Sequence, residues 1–227
     1  MAQIKGFDVS SWQHPSGKAI DWKKAKEAGF EFVMIKSSQG LGYVNPHFKA
    51  DALAAHQAGL LVGAYHYAEP AEGTAQQEAL HAVAAVAGAP LTMGLALDLE
   101  EYGSLSSFQV PQWAQEFMTE VNAAEHNCPF YCGGDFLATL TGAPWGHRFW
   151  NAGSSVPAGM NAWMQQHPNE TVEGVVGTCD VDYLLTPRGV NPSVPEPEPT
   201  KPPTRAAGPS AQAPASENAL TSKGETA

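Results

Sequence analysis

Short apolar runs recur along the first 190 residues and alternate with stretches whose apolar positions follow a helical period. Runs of four to eight residues rich in branched and aromatic side chains predict buried β-strands, because such side chains pack well on a pleated surface. On this pattern we predict eight strands, at residues 4–9, 32–36, 60–67, 94–100, 130–132, 149–152, 163–166 and 179–184.

Turn-forming and capping residues mark the helices between these strands. Pro favours the first turn of a helix, Gly follows the last turn, and Thr with Gln three residues later forms a capping box. Trp113, Phe117, Val121 and Ala124 share one face of a helix that we expect to begin at Pro111. The other expected helices lie between Asn45–Pro46 and Gly59, between the Thr74–Gln77 pair and Gly88, and between Asp21 and Gly29.

Alternation of strands and helices predicts an α/β fold with a parallel sheet. Eight strands in one domain indicate a (β/α) barrel of the TIM type, with functional side chains at the carboxyl ends of the strands. About 190 residues are few for eight complete strand–helix units. We therefore expect an irregular barrel with reduced helices.

The composition changes near residue 190. Residues 191–227 contain eight prolines, no aromatic residue, and only Val194 and Leu220 as larger apolar side chains. Such a segment cannot bury enough apolar surface to offset the entropy of ordering it. The sequence therefore predicts a barrel domain at 1–190 and a disordered, Pro-rich tail at 191–227.

A chain truncated after residue 190 should keep the melting temperature of the full chain almost unchanged, because the tail has no apolar face to dock. Thermal unfolding of the two proteins, side by side, checks this. A drop of many degrees on truncation would mean that the tail packs on the barrel.

Charge and cysteine content argue against several classes of partner. The net charge is −11 and Lys and Arg form no cluster, so nucleic acid and anionic membranes are not expected as partners. No apolar run of about 18 residues predicts membrane insertion, and the first residues have no signal-peptide core. Three cysteines, Cys128, Cys132 and Cys179, fit buried thiols better than a zinc site or a disulfide framework.

The run Gly-Leu-Ala-Leu-Asp-Leu-Glu at 94–100 predicts a buried strand that ends in two acids. Asp98 and Glu100 lie two residues apart, so both should point to one face while Leu99 points to the other. Crowded carboxylates repel each other, which favours a proton on one of them. A proton donor beside a charged partner is the pair that glycosidic bond cleavage needs. Alternatively, the two acids begin a solvated loop.

Three further acids lie near the ends of the first and last strands. Asp8 follows Phe7, and the last predicted strand contains Asp180 and Asp182. In a closed barrel the first and last strands are neighbours, so we expect Asp8 and Asp180 to approach each other and Asp98. Taken singly, such residues are often only turn formers or caps.

Aromatic residues accompany these acids along the chain. Their rings can stack on the apolar faces of sugars, and their polar tips can hydrogen-bond sugar hydroxyls. Packing in the core is the alternative for each of them. The candidates are Trp12, Tyr43, Tyr65, Tyr67, Tyr131, Trp145, Trp150 and Trp163.

Five ordered sequence blocks carry a family resemblance over about residues 1–185. Gly-Phe-Asp-Val-Ser-Ser-Trp-Gln at 6–13, Phe-Val-Met-Ile-Lys-Ser-Ser-Gln-Gly at 32–40 and Gly-Ala-Tyr-His-Tyr at 63–67 are the first three. Leu-Asp-Leu-Glu at 97–100 and Asp-Val-Asp at 180–182 are the others. Together they resemble the blocks of glycoside hydrolase family 25, the lysozymes that include many phage endolysins. Gln39 stands where that family usually has Glu, and Asp182 where it has Asn.

The resemblance implies an irregular β/α barrel that hydrolyses the β-1,4 bond from N-acetylmuramic acid to N-acetylglucosamine in peptidoglycan. It implies Glu100 as the general acid, Asp98 as the second catalytic carboxylate, and Asp8 and Asp180 as catalytic residues that tune or orient them. The family's late Trp-Gln-Tyr block appears here only as Trp-Met-Gln-Gln-His at 163–167, so its cleft residue stays open. The expected substrate-binding residues are Tyr65, Tyr67, Tyr131, Lys36, Trp150, Trp163 and Asp182.

Two other functions remain as alternatives. One is a wall-binding module that kept the barrel and lost catalysis, against which the presence of both Asp98 and Glu100 argues. The other is a Mg²⁺ or Ca²⁺ site for phosphoryl chemistry, but no Gly-rich phosphate loop accompanies the acids.

We expect no cofactor and no metal, and peptidoglycan glycan strands as the partner. Without a signal peptide, the expected setting is a phage endolysin, made in the host cytoplasm and acting on the wall after the membrane is breached. The oligomeric state is not predicted.

Overall fold

The computed structural model describes residues 4–140, 148–153, 156 and 160–185. Trp145 and the tail predicted at 191–227 lie outside these residues. Among the residues described, no helix is long and apolar enough to cross a bilayer. All three cysteines are buried thiols, as expected.

Nine strands form one sheet, and eight of them close into a barrel. The strands are β1 Ile4–Val9, β2 Phe32–Gln39, β3 Tyr43–Val44, β4 Leu61–Tyr67, β5 Leu95–Asp98, β6 Phe130–Cys132, β7 Phe149–Asn151, β8 Ala162–Glu170 and β9 Cys179–Leu184. The order around the barrel is β1-β9-β8-β7-β6-β5-β4-β2, and β2 pairs with β1 to close it. β3, which the sequence pattern missed, pairs with the end of β2.

The expectation of a parallel sheet is wrong at two strands, because β3 runs antiparallel to β2 and, within the barrel, β9 runs antiparallel to its neighbours. Strands β1, β2, β4, β5, β6, β7 and β8 run parallel, whereas β9 is antiparallel to both β8 and β1. Only eight residues, 171–178, separate β8 from β9, and parallel strands need a crossover of a dozen residues or more. The last strand therefore enters the barrel at the end where the parallel strands finish. This direction decides which of its residues reach that end.

In the part of the chain that the structure describes, five α-helices surround the strands: α1 Trp22–Glu27, α2 Phe48–Gln57, α3 Ala75–Val86, α4 Val110–Ala123 and α5 Gly134–Leu137. The short α1 and α5 confirm the expected reduction. Trp113, Phe117 and Val121 are buried on one face of α4 as predicted, but Ala124 is exposed because the helix ends before it.

Two predicted helix starts are wrong in detail. α2 begins at Phe48 rather than Pro46, because the Asn45 side chain accepts a hydrogen bond from the His47 N–H (3.0 Å) in a turn before the helix. The capping box at Thr74 does not form. Its hydroxyl instead donates to the carbonyl of Ala71 (3.0 Å) and accepts from the Trp113 indole (3.1 Å).

The core has two layers, one between the strands and the helices and one inside the barrel. The inner layer includes Phe32, Met34 and Trp150. Glycines on neighbouring strands leave room for two of these side chains. A Cβ on Gly6 would lie 2.3 Å from the Phe32 ring, and one on Gly63 would lie 2.3 Å from the Met34 sulfur. An open cavity lies above this filled interior, at the end where the parallel strands finish.

Candidate active site

A cavity of about 230 Å³ opens at this end of the barrel. Each of the eight barrel strands contributes to its lining, which agrees with the rule that barrel enzymes build their sites on the carboxyl ends of strands. The strand residues are Asp8, Lys36, Tyr65, Tyr67, Asp98, Tyr131, Trp150, Gln166 and Asp180, and Ser10, Trp12 and Glu100 complete the lining from loops.

The Asp98–Glu100 pair has the alternation expected of a strand end. Asp98 is the last residue of β5 and is buried, Leu99 packs into the outer core, and Glu100 lies exposed beyond the strand. Burial raises the pKa of Asp98 well above its usual range. The charge of Glu100 and a hydrogen bond between the two carboxyls raise it further, and Lys36 opposes the rise. The fold therefore favours the protonated form of Asp98 beside Glu100.

Asp8 meets two acids of the last strand. It pairs with Asp180 in the antiparallel β1–β9 ladder, and it hydrogen-bonds Asp182. Burial raises the pKa of Asp8 to about 7, the charge of Asp180 adds to the rise, and hydrogen bonds with Gln166 and Asp182 oppose it. Burial also raises the pKa of Asp182 well above its usual range, and the charge of Asp8 adds to that. Burial therefore favours the protonated form of Asp182 as well.

Asp8 should make the protein less stable as the pH rises from about 4 to about 7, since its pKa is about 7 in the fold against 3.8 normally. Over that window the folded chain holds a proton that the unfolded chain has lost, so unfolding becomes easier with rising pH. Asp8→Asn removes this contribution. Its melting temperature should match wild type near pH 4 and exceed it by several degrees at pH 8. Thermal unfolding across pH checks this, and a constant difference would contradict it.

Gln166 is a cavity residue that sequence analysis did not single out. Its amide N–H donates to Asp8 Oδ2 (2.7 Å), and its carbonyl accepts from the Tyr131 hydroxyl (2.9 Å). It thereby fixes the orientation of one acid and one aromatic residue at once. An amide suits this position because it can donate to a carboxylate and accept from a phenol simultaneously.

A bulge in β8 turns Gln166 towards the cavity, whereas Trp163 lies deeper in the barrel. Phe149 pairs with Ala162, but the next β7 residue, Trp150, pairs with Met164, so Trp163 is an extra residue in β8. Such an insertion reverses the alternation of every following side chain. Trp163 lies buried in the inner layer, 2% exposed, and not in the cavity. It belongs to the same inner cluster as Trp150, beneath the cavity that the other expected substrate-binding aromatic residues line.

Asp182 also lies below the cavity rather than in its lining. Because β9 runs antiparallel, Asp180 is near the open end and Asp182 lies two residues deeper, fully buried. Its Oδ1 accepts a hydrogen bond from the Trp150 indole N–H (2.7 Å). Asp180 meanwhile accepts from the backbone N–H of Asn169 (2.9 Å). Asp182 therefore supports Asp8 and Trp150 from beneath.

Aromatic rings form the walls above this acid layer. Tyr65 and Tyr131 both meet the Trp150 ring edge to face, with centroid distances of 6.1 and 4.7 Å. Burial raises the pKa of both tyrosines above the usual value, so both carry neutral hydroxyls at neutral pH. Tyr43 lies outside the lining, where its hydroxyl donates to Ser11 Oγ (3.0 Å).

Lys36 brings a positive charge to the cavity. Its ammonium group donates to Gln39 Oε1 (2.7 Å) and lies 4.6 Å from the centre of the Tyr67 ring. Burial lowers the pKa of Lys36, and the charges of Asp98 and Glu100 oppose that decrease. Burial raises the pKa of Tyr67 to about 12. The cation thus offsets part of the negative charge that four carboxyl groups create in the cavity.

Comparison with known proteins identifies the family that the chain resembles. The family model described as Glycosyl hydrolases family 25 matches residues 7–168. Lysozyme M1 of Streptomyces globisporus is 30% identical over 202 residues, which span 78% of this chain and 66% of that protein. The N,O-diacetylmuramidase of Chalaropsis sp is 32% identical over 152 residues, 61% of this chain and 70% of that one. The crystal structure of the bacterial lysozyme from Streptomyces coelicolor superposes with a TM-score of 0.70 at 26% identity, covering 82% and 93% of the two chains.

Proposed function

Because the chain belongs to the family 25 glycosyl hydrolases, we propose that it is a muramidase that hydrolyses the β-1,4 bond between N-acetylmuramic acid and N-acetylglucosamine in peptidoglycan. The observation that carries the proposal is the pair of a buried Asp98 and an exposed Glu100 in an aromatic-walled cavity. Relatives named lysozyme and N,O-diacetylmuramidase support the same bond.

In this proposal Glu100 is the proton donor to the leaving glycosidic oxygen. Its exposure at the cavity edge supports the role, since the acid must reach a bond in a long glycan strand. The proton comes across the hydrogen bond from Asp98, which becomes an anion as it accepts the N–H of the substrate's 2-acetamido group. The acetamido oxygen attacks the anomeric carbon as the bond to the leaving oxygen breaks. Glu100, now a carboxylate, then takes a proton from the water that opens this intermediate.

Asp8 and Asp180 act in the proposal by positioning and by charge. Asp8, held by Gln166 and Asp182, keeps negative charge available beneath the developing positive charge on the sugar. Tyr65, Tyr67, Tyr131, Trp150 and Lys36 surround the substrate. The cavity lining supports these assignments, and Trp163 and Asp182 are given no direct contact with the sugar.

Mass analysis of the fragments released from purified peptidoglycan tests the proposed bond. Muramic acid at the new reducing ends is the expected result. Glucosamine reducing ends would indicate a glucosaminidase instead, and free stem peptides would indicate an amidase or peptidase. No release at all, from a folded protein, would favour a wall-binding module.

Hydrolysis should be unaffected by EDTA, because the acids are assigned proton-transfer and hydrogen-bonding roles with no ion between them. Rates of reducing-end release with and without the chelator measure this. Loss of activity in EDTA that Mg²⁺ or Ca²⁺ restores would favour the metal-dependent alternative.

The proposed biological setting is phage lysis, in which an enzyme made in the host cytoplasm cuts the wall after the membrane is breached. The proposed wall substrate supports this setting. Expression of the protein alone should leave cells intact until chloroform permeabilises the membrane, and the culture should then clear. Clearing without permeabilisation would contradict the endolysin role.

A further inference from the structure

Trp12 differs from the other described tryptophans in its exposure. It is 85% exposed and lines the rim of the cavity, whereas Trp22, Trp113, Trp150 and Trp163 are at most 5% exposed. Single apolar side chains on a surface are common and carry no meaning by themselves. Two further features set Trp12 apart: its position on the rim and the way in which its backbone is held.

The turn that carries Trp12 is fixed on several sides. Ser10 Oγ accepts from the Trp12 N–H (3.2 Å), and the Gln13 side chain accepts from the Ser10 N–H (2.8 Å) in a capping box. Gln13 also donates to the carbonyl of Thr178 before β9 (3.2 Å), and Ser11 Oγ accepts from Tyr43 beside β2 (3.0 Å). These hydrogen bonds tie the turn to the neighbours of β1 on both sides, β9 and β2, while the Trp12 indole projects into solvent.

The size of the cavity shows that a glycan strand must extend past this rim. Its volume of about 230 Å³ is below the roughly 300–1,000 Å³ of pockets that enclose a drug-sized ligand. The carboxyl-rich floor holds the sugar at the bond that is cut, and neighbouring sugars lie outside it. An indole on a fixed turn offers them a flat apolar surface with little conformational entropy to lose.

We propose that Trp12 is a stacking platform for a hexosamine ring of the glycan strand, next to the sugars that flank the cleaved bond. This inference rests on the proposed muramidase function and adds a binding residue to it. The ring contributes to the affinity for long strands and takes no part in proton transfer.

Steady-state kinetics on soluble glycan strands freed of stem peptides tests the proposal. Loss of one aromatic contact weakens binding by roughly 10-fold. Trp12→Ala should therefore raise KM by about that factor and change kcat far less, and Trp12→Phe should recover part of the loss. Phe108 provides the matched control, because it is 76% exposed and is absent from the cavity lining. Phe108→Ala should behave like wild type.

Tryptophan fluorescence gives a second readout in the Glu100→Gln background, where strands bind without rapid cleavage. Stacking removes water from an exposed indole, so the strands should shift the emission to the blue. The shift should persist with Phe108→Ala and disappear with Trp12→Phe.

An unchanged KM for Trp12→Ala, together with a blue shift that survives in Trp12→Phe, would overturn the platform while leaving the muramidase function intact. Failure of the proposed muramidase function would give a different result. In that case the folded wild-type protein would release no reducing ends from the strands, whether or not it binds them, and both proposals would be overturned.

Discussion

Glu100→Gln should lower the rate of peptidoglycan hydrolysis by at least ~10²-fold, because it removes a positioned proton donor and keeps the size of the side chain. Glu100 is exposed beyond the end of β5, so the exchange should leave the melting temperature almost unchanged. Release of reducing ends from purified peptidoglycan measures the rate.

Glu101→Gln is the matched control for this variant. Glu101 is the next residue, is also exposed, and is not part of the cavity lining, so its exchange should keep nearly full activity. Near-normal hydrolysis by folded Glu100→Gln protein would require another residue to supply the proton. Equal losses in both variants would point to a general effect of charge on wall binding.

Asp98→Asn should also lower hydrolysis by roughly 10²-fold or more, because the anion that stabilises the charged transition state can no longer form. The same exchange should raise the thermal stability of the protein. Burial raises the pKa of Asp98, so its ionisation costs stability at high pH, and an amide avoids that cost. An inactive variant that unfolds at a higher temperature than wild type at pH 8 is the expected combination. Unimpaired hydrolysis would exclude Asp98 from the chemistry.

The same pair predicts net retention of anomeric configuration. In the proposed route the acetamido oxygen and then water attack the anomeric carbon from opposite faces in turn, so the two inversions give net retention. Proton NMR of the first-formed anomer measures this, and an initial α product would exclude the proposal.

Glycan strands lacking the N-acetyl group on muramic acid then separate two retaining routes. Full activity on them would mean that Asp98 attacks the sugar directly and that the acetamido group does not assist.

Local pattern in the sequence was sufficient for the barrel and for most of the cavity. An apolar run in the sequence marks a buried strand, and an acid directly after such a run must lie near the end of that strand. Asp8, Asp98 and Glu100 can therefore be identified from the sequence alone, and the family membership confirms the predicted class of enzyme. The pairing of Asp8 with Asp180 also followed, because a closed barrel makes its first and last strands neighbours.

The tertiary structure decided what depends on strand direction, register and burial. The antiparallel course of β9 places Asp180 at the cavity and Asp182 beneath it, and both residues have the same local sequence pattern. The extra residue at Trp163 reverses the alternation in β8, so Gln166 reaches Asp8 and the tryptophan is buried. The raised pKa of Asp98 follows from its desolvation, which arises only when the other strands surround it. The sequence of a strand determines which side chains share a face. The neighbouring strands determine whether that face points into the barrel and how deep each side chain lies.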